Sequence, residues 1–349
     1  MSPIKISYHL PSMMPGALLF FPFLRLFAVM VAVGLSACLL LCIGMAIGIL
    51  LPPRMRNARA ILFLRRLSPA DLDLPYRDLN FTVRDHRTVR PLRISGWWID
   101  APAPSDRTVI LIHGYSDGKI GALAWAPLFR SLGFNILAVD QRAHGDSQGL
   151  FITAGFHERH DFSQVIDQLK SDHHDQTRKL VLFGVSLGAA AAAATAALRS
   201  DVSAVILDCP FKDFPSAVLS HAESLPVPGR LFQSMAVRIA ELIARADFSQ
   251  VRPVDFIANL ACPIWIIQST LDPFVPPEDQ DAIAYAIASR PNNLPPAHFW
   301  RAEGSFHVLA LADHPAEYTR RLTDFLEEAL AEKIPPASMP LSQREAIHP

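Results

Sequence analysis

The stretch from Lys179 to Ala194 does more than any other to limit what this chain can fold into. It begins with Leu180-Val181-Leu182-Phe183, an apolar run of strand length. It passes through Gly184-Val185-Ser186-Leu187-Gly188 and continues as six alanines, Ala189 to Ala194. A strand that is apolar on both faces belongs inside a covered parallel sheet, and alanines let the following helix pack close to it. Between them Ser186 occupies a turn that only small neighbours permit, because bulk at Gly184 or Gly188 would meet crowded backbone. Such a turn lifts the hydroxyl above the sheet, where the next helix aims its first amides and positive end. Ser186 is therefore a candidate nucleophile.

The rest of the chain repeats this alternation. Strands are predicted at 80–83, 92–99, 108–112, 134–139, 179–183, 204–207, 264–268 and 297–300. Helices are predicted at 122–131, 158–170, 187–199, 277–289 and 315–332. Strands separated by helices imply right-handed crossovers and a mostly parallel, doubly wound α/β sheet. Residues 212–260 interrupt the rhythm with helical pieces and Pro215, Pro226 and Pro228, as a helical lid inserted over the sheet edge would. The expected organisation is an N-terminal segment 1–25, a membrane helix 26–51, a juxtamembrane segment 52–78 with a linker at 69–75, a folded domain 79–332, and a disordered Pro- and Ser-rich tail at 333–349.

Residues 26–51 carry no charge, and apolar character begins at Ala17 with Arg25 as the interruption. About 20 apolar residues suffice to cross a hydrocarbon core as a helix. A cleaved signal, with an apolar region of about 7–15 residues, fits less well. Leu35-Ser36-Ala37-Cys38 resembles a lipoprotein processing site, but the residues after Cys38 stay apolar. Arg54, Arg56, Arg59, Arg65 and Arg66 follow the run, against Lys5 and Arg25 before it, a bias that puts the folded domain on the cytoplasmic face. Residues 54–67 mix basic and apolar side chains at near-helical spacing, suited to an anionic membrane surface or to packing on the domain.

Lys+Arg 32 against Asp+Glu 33 leaves the chain near neutral, so nucleic acid is not an expected partner, whereas membrane lipids are. Outside the anchor only Cys209 and Cys262 remain, which set no disulfide framework and read as small core residues. His157, His160, His173 and His174 lack a further ligand at metal spacing and read as a solvated helix and loop. Trp97 and Trp98 read as core. No metal or cofactor is expected.

With these motifs the chain resembles the α/β-hydrolase superfamily over residues 79–330, in particular its membrane-anchored serine hydrolases and its serine aminopeptidase-like group. Ile110-Leu111-Ile112-His113-Gly114-Tyr115 resembles the strand and His-Gly element of that family. The resemblance implies an oxyanion hole made of the N–H groups of Tyr115 and Leu187. Asp140-Gln141-Arg142-Ala143-His144-Gly145-Asp146-Ser147 resembles its Asp-x-Arg-Gly-His-Gly-x-Ser turn, with Ala143 in place of the first glycine, and implies a structural role. Ser269-Thr270-Leu271-Asp272-Pro273-Phe274-Val275-Pro276 resembles its Asp-x-x-Val-Pro loop and implies Asp272 as the acid, with Asp208 as the rival. Phe299 to His307 resembles the loop that carries the base, although Phe306 replaces a small residue. His113, the other candidate base, falls on the oxyanion turn instead.

The implied fold is an α/β-hydrolase with an inserted lid behind a transmembrane helix. The implied chemistry is cleavage of carboxylic oxygen or thio esters through an acyl-enzyme on Ser186, with His307 as base. A serine nucleophile disfavours the dehalogenase and epoxide-hydrolase chemistry the fold also hosts. The anchor points, by proximity, to acylglycerols, acyl-thioesters or S-acylated proteins. Two alternatives stay open: a peptidase in which Glu223, Glu241 and Asp247 of the lid read a substrate amine, and a non-catalytic membrane scaffold.

Overall fold

Eight strands form one sheet in the order β1-β2-β4-β3-β5-β6-β7-β8. They are β1 (Arg77–Arg84), β2 (Pro91–Ile99), β3 (Arg107–Ile112), β4 (Asn135–Val139), β5 (Lys179–Val185), β6 (Ala204–Asp208), β7 (Ile264–Ser269) and β8 (Ala297–Ala302). β1–β2 and β2–β4 pair antiparallel, and every later pair is parallel. The structure is a computed structural model that describes residues 15–331 apart from Arg56, Arg65 and residues 224–228. The expected tail, residues 1–14, Arg56, Arg65, Pro226, Pro228 and the side chain of Glu223 lie outside the described residues.

The helices are α1 (Pro15–Leu50), α2 (Asn57–Leu64), α3 (Lys119–Ala122), α4 (Ala126–Ser131), α5 (Glu158–Asp172), α6 (Leu187–Ala196), α7 (Phe214–Glu223), α8 (Arg230–Ala244), α9 (Pro253–Asn259), α10 (Pro277–Ala288), α11 (Ala310–Asp313) and α12 (Pro315–Leu330). Alternation along each central strand feeds two cores. Val109 and Leu111 of β3 face α3, α4 and α12, whereas Ile110 and Ile112 face α5 and α6. The predicted helix 122–131 is instead two short helices, with Pro127 near the start of the second. Pro lacks an N–H, so it is tolerated in a first turn but not in a helix interior.

Two expectations about the N-terminal region are corrected. Residues 69–75 are not a free linker. They form a 3₁₀ turn, with Leu72 and Leu74 buried in the core beside α2. The apolar helix is one continuous element, long and apolar enough over 22–50 to cross a membrane, but its last turns belong to the folded domain. Cys42, Ala46 and Leu50, spaced by four, are each fully buried, and Ala46 and Leu50 share a cluster with Leu187, Phe211, Phe214 and Val237. The domain also caps the helix: Ile152 N donates to Leu50 O at 3.0 Å and Tyr115 Oη to Gly48 O at 3.0 Å. These are carbonyls of the last turn, which have no partner inside the helix. α2 packs on the domain through buried Ala60, as one of the two readings expected, while Ile61, Leu62 and Phe63 are exposed.

Candidate active site

The site begins with backbone strain. Ser186, between β5 and α6, has φ 53° and ψ −116°, a left-handed conformation that costs a non-glycine residue about 1–3 kcal/mol. Its surroundings over-determine that conformation. Ser186 N donates to Asp208 O at 2.8 Å, and a Cβ on Gly184 would lie 2.2 Å from Gly188 O. A Cβ on Gly188 would lie 2.2 Å from Ile112 O, so both glycines are required by contact. Leu187 opens α6, and its N–H is among the first-turn donors without an intrahelical acceptor.

The loop after β3 lies against this turn, for a Cβ on Gly114 would stand 3.5 Å from Ser186 Cβ. His113 holds the loop from beneath. Its Nε2 accepts from Gln141 N at 3.0 Å, which leaves Nδ1 to donate to Gly114 O at 2.8 Å. Burial pushes His113 down to about 4, so it is a neutral structural group. Tyr115, next in sequence, lines a cavity with Ser186 and Leu187.

The two candidate acids face different environments. Asp272 Oδ2 stands 2.5 Å from His307 Nδ1, and its Oδ1 accepts from Phe274 N at 2.8 Å and Val275 N at 3.1 Å. Asp208 instead accepts from Tyr318 Oη at 3.0 Å, and Tyr318 in turn accepts from Trp125 Nε1 at 3.0 Å. Asp208 is fully buried, its Oδ1 has no hydrogen-bond partner among the described residues, and burial pushes its carboxyl up to about 6. It is aimed into the core beside α12, and Asp272 is the carboxylate that meets the histidine.

Ser186 and His307 share an apolar cavity of about 340 Å³ with Phe211, Phe214, Val218 and Phe274. Met45, Gly48 and Ile49 of α1 complete its lining, as does His221 of α7, whose ring stacks on Phe274 at 4.3 Å. Sequence reasoning missed all four. Burial and the neighbouring His307 push the His221 imidazole down. A second cavity of about 530 Å³ also reaches Ser186 and His307 and includes Arg66, Ser116 and Asp117.

The remaining candidates fall elsewhere. Glu241 accepts from Arg238 and from Phe248 N, and Asp247 caps the short turn at Ser249. Neither lines a cavity with Ser186. The Asp140 turn is structural: Asp140 accepts from buried Lys119 Nζ at 2.6 Å, and Arg142 makes two bonds to Asp161 at 2.6 and 2.7 Å. His157 is not solvated as expected but buried, with Nε2 3.1 Å from Ala244 O, and His160 stacks on His86 at 3.9 Å. Cys209 Sγ, Asp272 and His307 bring ligand atoms within 4.8 Å of one another. Burial holds the Cys209 thiol well above its ordinary range and Asp272 is committed to His307, a poor donor set for a metal.

The sequence model of the alpha/beta hydrolase family matches residues 109–347. The uncharacterized protein YqkD of Bacillus subtilis is 28% identical over 241 residues, covering 67% of this chain and 75% of YqkD. The uncharacterized membrane protein YNL320W of Saccharomyces cerevisiae is 29% identical over 147 residues, or 41% of this chain and 49% of its own. Among solved structures, the Pyrococcus furiosus esterase Pf2001 superposes with a TM-score of 0.62 at 24% identity, over 79% of this chain and 98% of the esterase.

Proposed function

The chain belongs to the alpha/beta hydrolase family and is a hydrolase, and on that premise we propose that it cleaves carboxylic oxygen or thio esters through an acyl-enzyme on Ser186. One observation carries the reading. Ser186, on its strained turn, shares an apolar cavity with His307, whose Nδ1 is 2.5 Å from a fully buried Asp272 carboxylate. In the proposed reaction His307 Nε2 takes the hydroxyl proton as Ser186 Oγ bonds to the acyl carbon. The N–H groups of Tyr115 and Leu187 stabilise the oxyanion. The C–O or C–S bond then breaks and the imidazolium returns its proton to the leaving alcohol or thiol. Water, deprotonated by His307, attacks the acyl-enzyme and frees the acid. Asp272 orients the imidazole, with Nδ1–H donating to it, and stabilises its cationic form.

Residues 22–41 are read as the membrane span, with the catalytic domain on the cytoplasmic side and lipid-borne esters within reach. The likeness to the Pyrococcus furiosus esterase supports ester cleavage, and the likeness to a yeast membrane protein supports membrane attachment. The peptidase reading is weaker, because Glu241 and Asp247 do not line the cavity that holds Ser186. A panel of p-nitrophenyl esters and aminoacyl-anilides tests the choice. Ester turnover that vanishes in Ser186→Ala is the expected result. Anilide turnover without ester turnover would replace esterase by peptidase.

A further inference from the structure

We infer that α1 is a wall of the acyl pocket as well as an anchor, and that this pocket takes the long acyl chain of a lipid ester directly from the bilayer. The inference rests on the ester-cleaving role proposed for Ser186, and names its substrate class and route of entry.

The exposure of α1 changes along its length. From Phe23 to Leu41 its side chains are exposed, apart from partly covered Cys38. At 1.5 Å per residue that stretch is about 28 Å long, close to the about 30 Å of a hydrocarbon core. Burial against the domain starts at Cys42, so the helix leaves the bilayer where the domain takes hold of it. Within the next two turns Met45, Gly48 and Ile49 line the cavity that contains Ser186 and His307. The foot of the spanning helix is thus part of the site.

The lid continues the apolar path. α8 packs along α1, with Cys42 Sγ 3.8 Å from Phe232 O. At that end of α8, Leu231 is 72% exposed and Met235 is 42% exposed, one turn apart on the same face. Lone exposed leucines are ordinary. Here they stand on the helix that packs along apolar α1, and exposed apolar side chains beside a bilayer-length helix are what a membrane interface covers. An acyl chain entering beside α1 passes from the bilayer to Met45, Gly48 and Ile49, and meets Gln233 on the α8 side before it reaches the serine. A chain delivered through water would have to expose each methylene first.

The lining selects the same substrate. Phe211, Phe214, Val218 and Phe274 face the cavity, and its polar lining is Tyr115, Ser186, His221 and His307 together with Gln233 of α8. The chemistry this fits is one ester bond at the end of a long apolar chain.

Gly48 offers a direct test, because a Cβ there would meet no atom within 4 Å although the residue lines the cavity. Gly34, in the exposed stretch, is equally open and lies away from the cavity. Both sit inside a helix, where a side chain imposes no backbone strain. The full-length protein in phosphatidylcholine vesicles is assayed with p-nitrophenyl butyrate and p-nitrophenyl palmitate, and the readout is the palmitate-to-butyrate ratio of kcat/KM. Gly48→Phe is expected to lower that ratio about tenfold or more, and Gly34→Phe to leave it unchanged. Equal ratios in the two variants overturn the inference while leaving the esterase reading intact. A wild-type protein that cleaves neither ester overturns that reading and this inference with it. If Gly48→Phe does not fold, Ile49→Ala, which widens the cavity, must shift the ratio at least threefold. An unchanged ratio there again overturns the inference.

Discussion

The floor and the wall of the cavity enclose the same space but are built by different physics. The floor gathers loops at the carboxyl ends of β3, β5, β6, β7 and β8, and there Ser116, Ser186, Cys209 and Val308 all adopt φ between 51° and 63°. Left-handed conformations at non-glycine residues are costly, and four in one place mark a backbone held for the position of its polar atoms. The wall is regular helix. α1 and α7 supply most of its side chains and α8 adds Gln233, while Cys42, Ala46 and Leu50 bury one stripe by the i, i+4 spacing of any amphipathic helix. The difference teaches where damage should show. Altering the floor should change chemistry, and altering the wall should change fit and stability.

The largest effect is expected at the floor. Asp272→Asn should lower kcat by up to about 10⁴-fold with KM little changed, because the imidazole loses its orienting acceptor. Steady-state kinetics with a soluble ester decide it, and near-normal turnover would break the contrast. In the wall, Leu50→Ala should cost about 2–5 kcal/mol of domain stability, since a fully buried leucine leaves a cavity. Leu40→Ala, at a position 68% exposed on the same helix, should cost under about 0.5 kcal/mol. Urea unfolding of both variants in detergent checks this, and equal losses would mean that α1 does not divide near Cys42.

The same division explains what could be read from the sequence. The floor was legible because its geometry is local. Gly184 and Gly188 flank Ser186 under contacts of 2.2 Å that tolerate no side chain, and Asp272 and His307 each follow their own strand. The central strands were legible for a related reason, as apolar runs buried on both faces, whereas β1 and β8 alternate buried and exposed residues. The wall was not. Residues 42–50 are as apolar as those before them, and nothing in their composition tells a lipid neighbour from Leu187 or Phe211. Leu72 and Leu74, in a stretch read as a linker, and His157, read as solvated, failed alike, because their burial is decided by segments distant in the chain.

Smaller effects sharpen the contrast. Burial raises Asp208 to about 6, above its ordinary value, so the stability it contributes at low pH is lost as pH rises from about 4 toward about 6. Asp208→Asn removes that dependence. Relative to wild type, the variant should gain about 1–3 kcal/mol between pH 4 and pH 7 while keeping ester turnover. Denaturant unfolding at the two pH values measures it, and a constant difference would contradict the buried-acid assignment. Tyr115→Phe should have a small effect, about 0.5–1.5 kcal/mol, because only the bond from Tyr115 Oη to Gly48 O is lost. A loss several times larger would place Tyr115 deeper in the fold than its single bond to α1 suggests.

The most direct test of the central claim is to find which side chain is the nucleophile. The full-length protein is treated with a fluorophosphonate and digested, and the modified residue is located by tandem mass spectrometry. The account predicts one adduct, on Ser186 in the peptide spanning Val185 to Gly188, and its absence from Ser186→Ala. An adduct on another residue, or labelling that persists in Ser186→Ala, would contradict it.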